Sequence, residues 1–234
     1  MAPRRSKNNN DKNNLKSPTT PQIPEAQLAP QPASVPVLEG DSEVPTDTVQ
    51  AQILDINILE QEKHPLENTW VLWLTANVSK DWKENLIEIT SFNTVEDFWC
   101  LYHHMILPSE LEEGQDFSLF KQGVRPMWED PANTKGGRLV VFLEKKNTHD
   151  LNRIWLDTIL MLIGENFDNL NHLIRGVVVN IKPKNNKNRI SVWFSNKNNS
   201  KENMMISQKL KDTVSIPQKL GFYAHNSHSA IWNI

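Results

Sequence analysis

The sequence has a single cysteine, Cys100, and no aromatic residue before Trp70. One cysteine excludes an internal disulfide and a cysteine-clustered zinc site. No apolar run approaches the roughly 18 residues that a membrane-spanning helix needs, and the basic, Asn-rich start has no apolar segment typical of a secretory signal. A net charge of −3 excludes a globally basic coat for nucleic acid. We therefore expect a cytoplasmic or nuclear protein with no membrane contact.

Aromatic residues and prolines are segregated along the chain. All 18 aromatic residues lie between positions 70 and 234, whereas eight of the 14 prolines fall within residues 1–60. A Pro- and Asn-rich segment without aromatic residues cannot bury enough apolar surface to offset the entropy lost on ordering. We predict a disordered tail over 1–60 and one folded domain over 61–234, which is neutral overall with 20 basic and 20 acidic residues.

The folded part contains patterns typical of strands and of helices. Enrichment in β-branched and aromatic residues predicts strands at 69–76, 85–92, 137–143, 176–181 and 190–194. Helical periodicity is found at 94–106, where Thr94 can cap the N-terminus, at 150–164 and more weakly at 200–214. This mixture favours an α+β domain, in which an antiparallel sheet carries helices on one face and leaves the other face free for a ligand.

Two of the eight tryptophans have neighbours that are unusual for core residues. Trp82 lies among charged residues, and Trp128 lies in an acidic loop between two prolines. Core packing is the ordinary role of tryptophan, but an exposed indole on a loop can stack on a base or a cation. Glu129, next to Trp128, either accepts two hydrogen bonds from the edge of a guanine or is a solvated loop acid.

A basic segment forms the second candidate binding feature. Residues 182–189 contain four cations and no acid in a predicted hairpin, and Arg138 follows two glycines at the start of another strand. Together these cations can hold a chain of phosphates. The alternative is a solvated, charged turn.

Motifs of enzymes and metal proteins are absent from the sequence. It has no HExxH, GxSxG or P-loop pattern. The adjacent His103 and His104 would diverge by about 100° on a helix and cannot share a metal. Cys100 falls within a predicted helix and is expected to be a small core residue rather than a nucleophile. We expect no catalytic residue, no metal and no cofactor.

The predicted helix at 150–164 has two apolar stripes. One consists of Leu151, Ile154, Trp155 and Leu162, and the other, roughly opposite, consists of Leu156, Leu160 and Ile163. Because one apolar face is enough to dock a helix on a sheet, the second stripe indicates either a deeply buried helix or a partner's amphipathic helix lying across it. Trp99 could belong to the same partner surface.

Nine segments of the chain, between about residues 61 and 223, occur in a familiar order. They are His64-Pro65-Leu66, Trp70 with Trp73, SKDW, FNTVEDFWCLYHH, FSLFKQGVRPMWED, KGGR, IWLDTILMLIGENFD, GVVVNIKPK and ISVWF. The sequence thereby resembles the family of eukaryotic translation initiation factor 4E, the messenger-RNA cap-binding protein. The resemblance implies a strongly curved antiparallel sheet of about eight strands with about three helices on its convex face.

The resemblance also implies a function and a set of site residues. The protein would be a non-enzymatic, monomeric member of a larger complex that recruits capped mRNA for translation initiation. The base of 7-methylguanosine would be bound by Trp82, Trp128, Glu129 and Trp193. Its triphosphate would be bound by Arg138, Lys182, Lys184 and Arg189. The initiation factor 4G scaffold, or the competing 4E-binding proteins, would contact His64, Pro65, Val95, Trp99, Leu156, Asp157 and Leu160.

The sequence departs from the family pattern at several positions. Leu139 replaces the usual Trp, Lys182 replaces the usual Arg, and Asp157 replaces the more frequent Glu. The hairpin over 182–189 is longer than in the family pattern, so either Arg189 or Lys187 can match the last phosphate-binding position. The C-terminal segment is shorter than in the family pattern. These departures predict a divergent paralogue with weaker cap binding.

The alternative functions are a cap-binding translational repressor and a cap-hydrolysing enzyme, although the acidic metal cluster that such an enzyme needs is absent from the sequence.

Overall fold

The computed structural model describes residues 63–79, 83–182 and 187–234. The predicted tail over 1–60 lies outside these residues, as do two of the predicted site residues, Trp82 and Lys184. Three α-helices are present in the described part of the chain: α1 (Val95–His104), α2 (Thr148–Ile163) and α3 (Ser200–Thr213). Short 3₁₀ turns cover Pro108–Glu110 and Asp168–Leu173.

Eight strands form one antiparallel sheet. They are β1 (Pro65–Thr75), β2 (Leu86–Thr94), β3 (Asp116–Lys121), β4 (Gly137–Leu143), β5 (Ile174–Asn180), β6 (Asn188–Phe194), β7 (Leu220–Ala224) and β8 (Ala230–Asn233). Their order across the sheet is β2-β1-β3-β5-β6-β4-β7-β8, so the sheet is open, with β2 and β8 at its edges. This confirms the predicted α+β class with an antiparallel sheet and helices. Among the described residues, no helix is long and apolar enough to cross a membrane.

The alternation of side chains along each strand gives the sheet two different faces. In β4, Leu139, Val141 and Leu143 belong to the main core, whereas Arg138 and Phe142 point to the opposite face. We call this opposite side the helix-free face. The register aligns two rows of residues across it: Asp116, Asn180, Arg189 and Phe142 in one, and Phe120, Gly176, Trp193, Arg138 and Tyr223 in the other.

The helices cover the other face of the sheet. α1 begins after Thr94, whose hydroxyl accepts a hydrogen bond from the backbone N–H of Asp97 at 3.2 Å, as predicted from the sequence. α2 is deeply buried, because Ile154 and Trp155 are fully enclosed in the core. Leu156 and Leu160 stay half-buried, but Ile163 is buried, so the second stripe of α2 is narrower than predicted. Leu139 lies in the core, as expected for a departure that affects packing.

One prediction about α1 is wrong: Cys100 is exposed. The buried residue of this helix is Phe98. Cys100 follows it by two residues, or about 200° around the helix, and therefore faces solvent.

Candidate functional site

A cleft of about 370 Å³ opens on the helix-free face. Alternate residues of four adjacent strands form its floor: Asp116, Ser118, Val178, Asn180, Arg189, Ser191, Trp193 and Arg138. Its walls include Trp128, from the connection between β3 and β4, and His225 and His228, which follow β7. The cleft therefore collects residues that are far apart in the sequence.

Trp128 is 53% exposed at the cleft, so it is not a core residue. Hydrogen bonds within its own loop hold it in place. The amide of Asn133, which is fully buried, donates to the backbone carbonyls of Arg125 at 2.9 Å and Met127 at 2.8 Å. The Asp130 carboxylate accepts from the backbone N–H of Ala132 at 2.9 Å. Glu129 is exposed beside Trp128. The loop thus presents an indole and a carboxylate together.

Trp193 contributes a second, half-buried indole to the cleft. The edge of its ring packs against Phe120, with 5.3 Å between the centroids and an angle of 80°. On the other side, the His225 imidazole lies 4.1 Å from the indole centroid. Trp193 is therefore fixed from both sides. Trp82, the third predicted aromatic residue, lies outside the described part of the chain.

Three cations and one acid lie at this end of the cleft, and two of the cations, Lys182 and Arg189, act on the acid, Asp116. Burial lowers the pKa of Lys182, Arg138 and Arg189, which reflects the cost of keeping these charges partly out of water. Burial also raises the pKa of Asp116, although Lys182 and Arg189 oppose that shift. The Arg189 Nε donates to Asn180 Oδ1 at 2.5 Å. Arg138, Arg189 and Lys182 outnumber Asp116, so this part of the site has an excess of positive charge that an anion would balance.

Arg138 connects the cleft to the C-terminal segment. Its Nη1 donates to the carbonyl of His225 at 2.6 Å and lies 3.4 Å from that of Ala224. Its Nη2 donates to the carbonyl of Ser227 at 3.3 Å. The guanidinium has five N–H donors, so these contacts leave donors for a ligand. The short segment after Tyr223 is therefore held against the cleft by an arginine of β4.

The structure separates the two residues that could match the last phosphate position. Arg189 lines the cleft beside Asn180. Lys187 instead forms an ion pair with Glu144, just after β4, with 2.6 Å between Nζ and Oε1. That ion pair lowers the pKa of the exposed Glu144 carboxyl. Residues 183–186, with the predicted Lys184, lie outside the described part of the chain.

His225 is a site residue that sequence reasoning missed. Burial, followed by the nearby charges of Arg138 and Lys197, lowers its pKa to about 4. Both ring nitrogens are buried, and neither has a hydrogen-bond partner among the described residues. The sequence around His225 contains no motif. Its place in the site is set by contacts with Arg138 of β4 and Trp193 of β6.

The residues predicted to bind a protein partner lie on α1, on α2 and just before or at the start of β1. The backbone N–H of Val95 donates to the His64 carbonyl at 2.9 Å, and the His64 ring lies 2.7 Å from the Glu96 carboxylate. Trp99 is half-buried, and its ring packs edge-on against Tyr102, with centroids 6.0 Å apart. Burial and the Asp157 carboxylate raise the pKa of Tyr102, which indicates that α1 and α2 adjoin there.

We call this second area the helical surface, and it consists of His64, Pro65, Val95, Trp99, Leu156, Asp157 and Leu160. His64 and Pro65 are exposed and Val95 is 37% exposed, whereas the other four residues are half-buried. Arg153 holds Asp157 by an ion pair at 3.1 Å. The helical surface and the cleft lie on opposite faces of the sheet.

Comparisons with known proteins agree with this architecture. The family model described as "Eukaryotic initiation factor 4E" matches residues 65–231. The chain is 45% identical over 188 residues to eukaryotic translation initiation factor 4E-1B of Danio rerio, a match that covers 78% of this chain and 87% of that protein.

Solved structures show the same similarity. Caenorhabditis elegans eIF4E-3, in complex with the 4E-binding protein Mextli and a cap analog, matches with a TM-score of 0.69 and 37% identity over 74% of this chain and 99% of that one. Ascaris suum eIF4E-3 with an m7G cap matches with a TM-score of 0.70 and 38% identity, covering 74% of this chain and 98% of that one.

Proposed function

Because the chain belongs to the eukaryotic initiation factor 4E family, whose members are non-enzymatic cap-binding factors, we propose that its cleft binds the 7-methylguanosine cap of mRNA. The observation that carries this proposal is the exposed Trp128, held at a cleft whose floor carries an excess of positive charge. A stacking ring and an anion site side by side match a base joined to a triphosphate.

The base is recognised by stacking and by a carboxylate. Trp128 and Trp82 stack on the two sides of the methylated guanine, and Glu129 accepts hydrogen bonds from its Watson–Crick edge. Each stack is worth about 1–3 kcal/mol. Methylation gives the ring a positive charge, which adds a cation–π contribution of up to about 2 kcal/mol in total. Trp193 lies against the methyl group.

The triphosphate is held by cations of the cleft and of the hairpin after β5. Arg138 and Arg189 line the cleft, and Lys182 lies close enough to influence the same acid, Asp116. A phosphate chain that replaces water around these partly buried cations forms charge-assisted hydrogen bonds with them. Lys184 is the fourth residue that we assign to this role.

A fluorescence titration with methylated and unmethylated guanosine triphosphate tests the proposal. We expect the methylated nucleotide to bind at least about tenfold more tightly, since a cation–π gain of up to about 2 kcal/mol corresponds to a factor of about thirty. The two ligands carry the same phosphates, so the unmethylated one is the matched control. Equal affinities would contradict the stacking arrangement.

We also propose that the helical surface binds the helical motif of an initiation factor 4G scaffold or of 4E-binding proteins. The bound Mextli in the Caenorhabditis elegans relative supports a partner of this kind. In this arrangement the protein recruits capped mRNA for translation initiation in the cytoplasm. A repressor that occupies caps without binding the scaffold is the alternative, and the full helical surface favours recruitment.

Scaffold binding and activity in translation discriminate the two roles. The protein is first mixed with a scaffold peptide in a pull-down, and is then added to a translation extract from which the typical initiation factor has been depleted. A recruiter binds the peptide and restores translation. A protein that binds caps but fails in both assays is a repressor.

A further inference from the structure

We propose that the helix-free face of β4 and β7, beside the cleft, stacks the bases of the RNA segment that directly follows the cap. The site consists of Phe142 and Tyr223, which we call the aromatic strip, flanked by Arg138 and Arg189. The inference rests on the proposed cap binding and extends it from the cap to the RNA behind it.

Phe142 is an exposed aromatic residue near the end of β4, just beyond the last residue that β4 pairs with β7. It is 42% exposed, although Val141 and Leu143 on either side of it are almost fully buried in the core. Its cross-strand partner is Arg189, one of the cleft cations. It lies four positions along β4 from Arg138, a distance of about 13 Å, which a short stretch of RNA can cover.

Tyr223 continues the same surface towards the cleft. It is the cross-strand partner of Arg138, whose guanidinium carbon lies 6.0 Å from the centre of the Tyr223 ring. The ring lies over Gly221, because a Cβ atom at Gly221 would be 2.7 Å from Tyr223 Cε2 and 2.8 Å from its hydroxyl. Gly221 is in turn paired with Val140, the residue that separates Arg138 from Phe142 on this face. Each ring of the aromatic strip therefore adjoins an arginine of the cleft floor, Phe142 beside Arg189 and Tyr223 beside Arg138.

The charges around the aromatic strip favour a polyanion. Arg138 and Arg189 flank it, and the acid on the cleft floor, Asp116, interacts with Lys182 and Arg189. Glu144, at the far end of β4, is paired with Lys187. The neutral folded part thus has a local positive region where its sheet exposes aromatic rings. Single-stranded RNA has the matching chemistry, since its bases stack on such rings and its phosphates pair with such cations.

The experiment compares two ligands on the full chain at one ionic strength: 7-methylguanosine triphosphate and a capped, pyrimidine-rich oligoribonucleotide. We expect the wild-type protein to bind the capped RNA more tightly than the nucleotide. Phe142→Ala should weaken RNA binding by about 5- to 150-fold, the range of one lost base stack, while nucleotide binding is unchanged. Phe142→Leu keeps an apolar side chain without a ring and should lose the same increment.

Met205→Ala is the matched control, because Met205 is 55% exposed on α3, in a part of the protein distant from the cleft floor. It should leave both affinities unchanged. The inference is overturned if Phe142→Ala binds capped RNA like the wild type, if it weakens both ligands equally, or if the wild type gains no affinity from the RNA. Failure of the wild type to bind the methylated nucleotide at all would instead contradict the proposed cap binding.

Discussion

His225 is a neutral imidazole in a cationic environment. Its pKa of about 4 lies below the ordinary value of 6.5, so the unfolded chain takes up this proton more readily than the folded protein. The contribution to stability is therefore complete above pH 6.5 and is lost as the pH falls towards 4. Neutrality also leaves the ring free to pack against Trp193.

We expect this histidine to make the protein less stable at pH 5 than at pH 7 by about 2 kcal/mol. The measurement is urea unfolding of the wild type and of His225→Gln at both pH values. Burial raises the pKa of Asp116, so this acid makes the folded protein more stable at the lower pH and opposes the effect of the histidine. Asp116 is present in both proteins, so the difference between their pH dependences isolates the contribution of His225. An identical pH dependence in both proteins would contradict the assignment.

The environment of a single residue could be predicted from the sequence only where its neighbours in the structure are also its neighbours in the sequence. Trp128 could be identified from its sequence neighbours, since a tryptophan between prolines and acids is atypical of a core. The sequence could not identify His225 as a site residue, because its position at the cleft depends on a contact with Arg138, which is 87 residues away. The same holds for Arg189 and Lys187, because the sequence does not show that Arg189 lines the cleft whereas Lys187 forms an ion pair with Glu144.

At the scale of elements, the loop between β3 and β4 depends on one buried amide. Asn133 uses both of its N–H donors on the carbonyls of Arg125 and Met127, next to the stacking residue Trp128. A loop that is held before the ligand arrives loses less entropy on binding. Asn133 is therefore a positioning residue for the indole to which we assign cap binding.

Asn133→Ala should weaken binding of the methylated nucleotide and lower the free energy of unfolding by about 1–3 kcal/mol, because two buried carbonyls lose their donor. Thr134→Ala, which changes an exposed neighbour in the same loop, serves as the control. Affinity and urea unfolding are measured on both variants. Unchanged affinity in a destabilised Asn133→Ala protein would show that the amide supports the fold alone.

The strands were predicted unevenly, for a physical reason. β4, β5 and β6 are rich in β-branched residues and could be read from the sequence. β7 contains Gly221 and is five residues long, and β8 has only four, so the local preference for a strand is weak in both. β7 is stabilised by pairing with β4, which is distant in the sequence, and β8 pairs in turn with β7. β3 (Asp116–Lys121) was not predicted as a strand, and the family resemblance supplied only the approximate number of strands.

For the whole molecule, the main feature is a sheet with different chemistry on its two faces. The cleft occupies the helix-free face, and the helical surface lies among α1, α2 and the start of β1. We therefore expect Trp128→Ala to abolish retention on an immobilised cap analog while scaffold-peptide binding stays intact. Trp99→Ala should have the reverse effect, because its indole is half-buried on α1 and does not line the cleft.

Both variants are tested in parallel for cap retention and peptide binding, with circular dichroism to confirm folding. Loss of both activities in one folded variant would contradict two separate sites.

Alternation along the strands has a consequence for how this protein can diverge. Trp193 and Arg189 reach the cleft because each is an even number of positions from Ser191, while Val192 and Ile190 between them fill the interior. A single-codon deletion within β6 would exchange these two sets and place a guanidinium in the core. Substitutions are therefore tolerated here far more readily than changes in strand length, and lineages of this protein should accumulate indels in its loops.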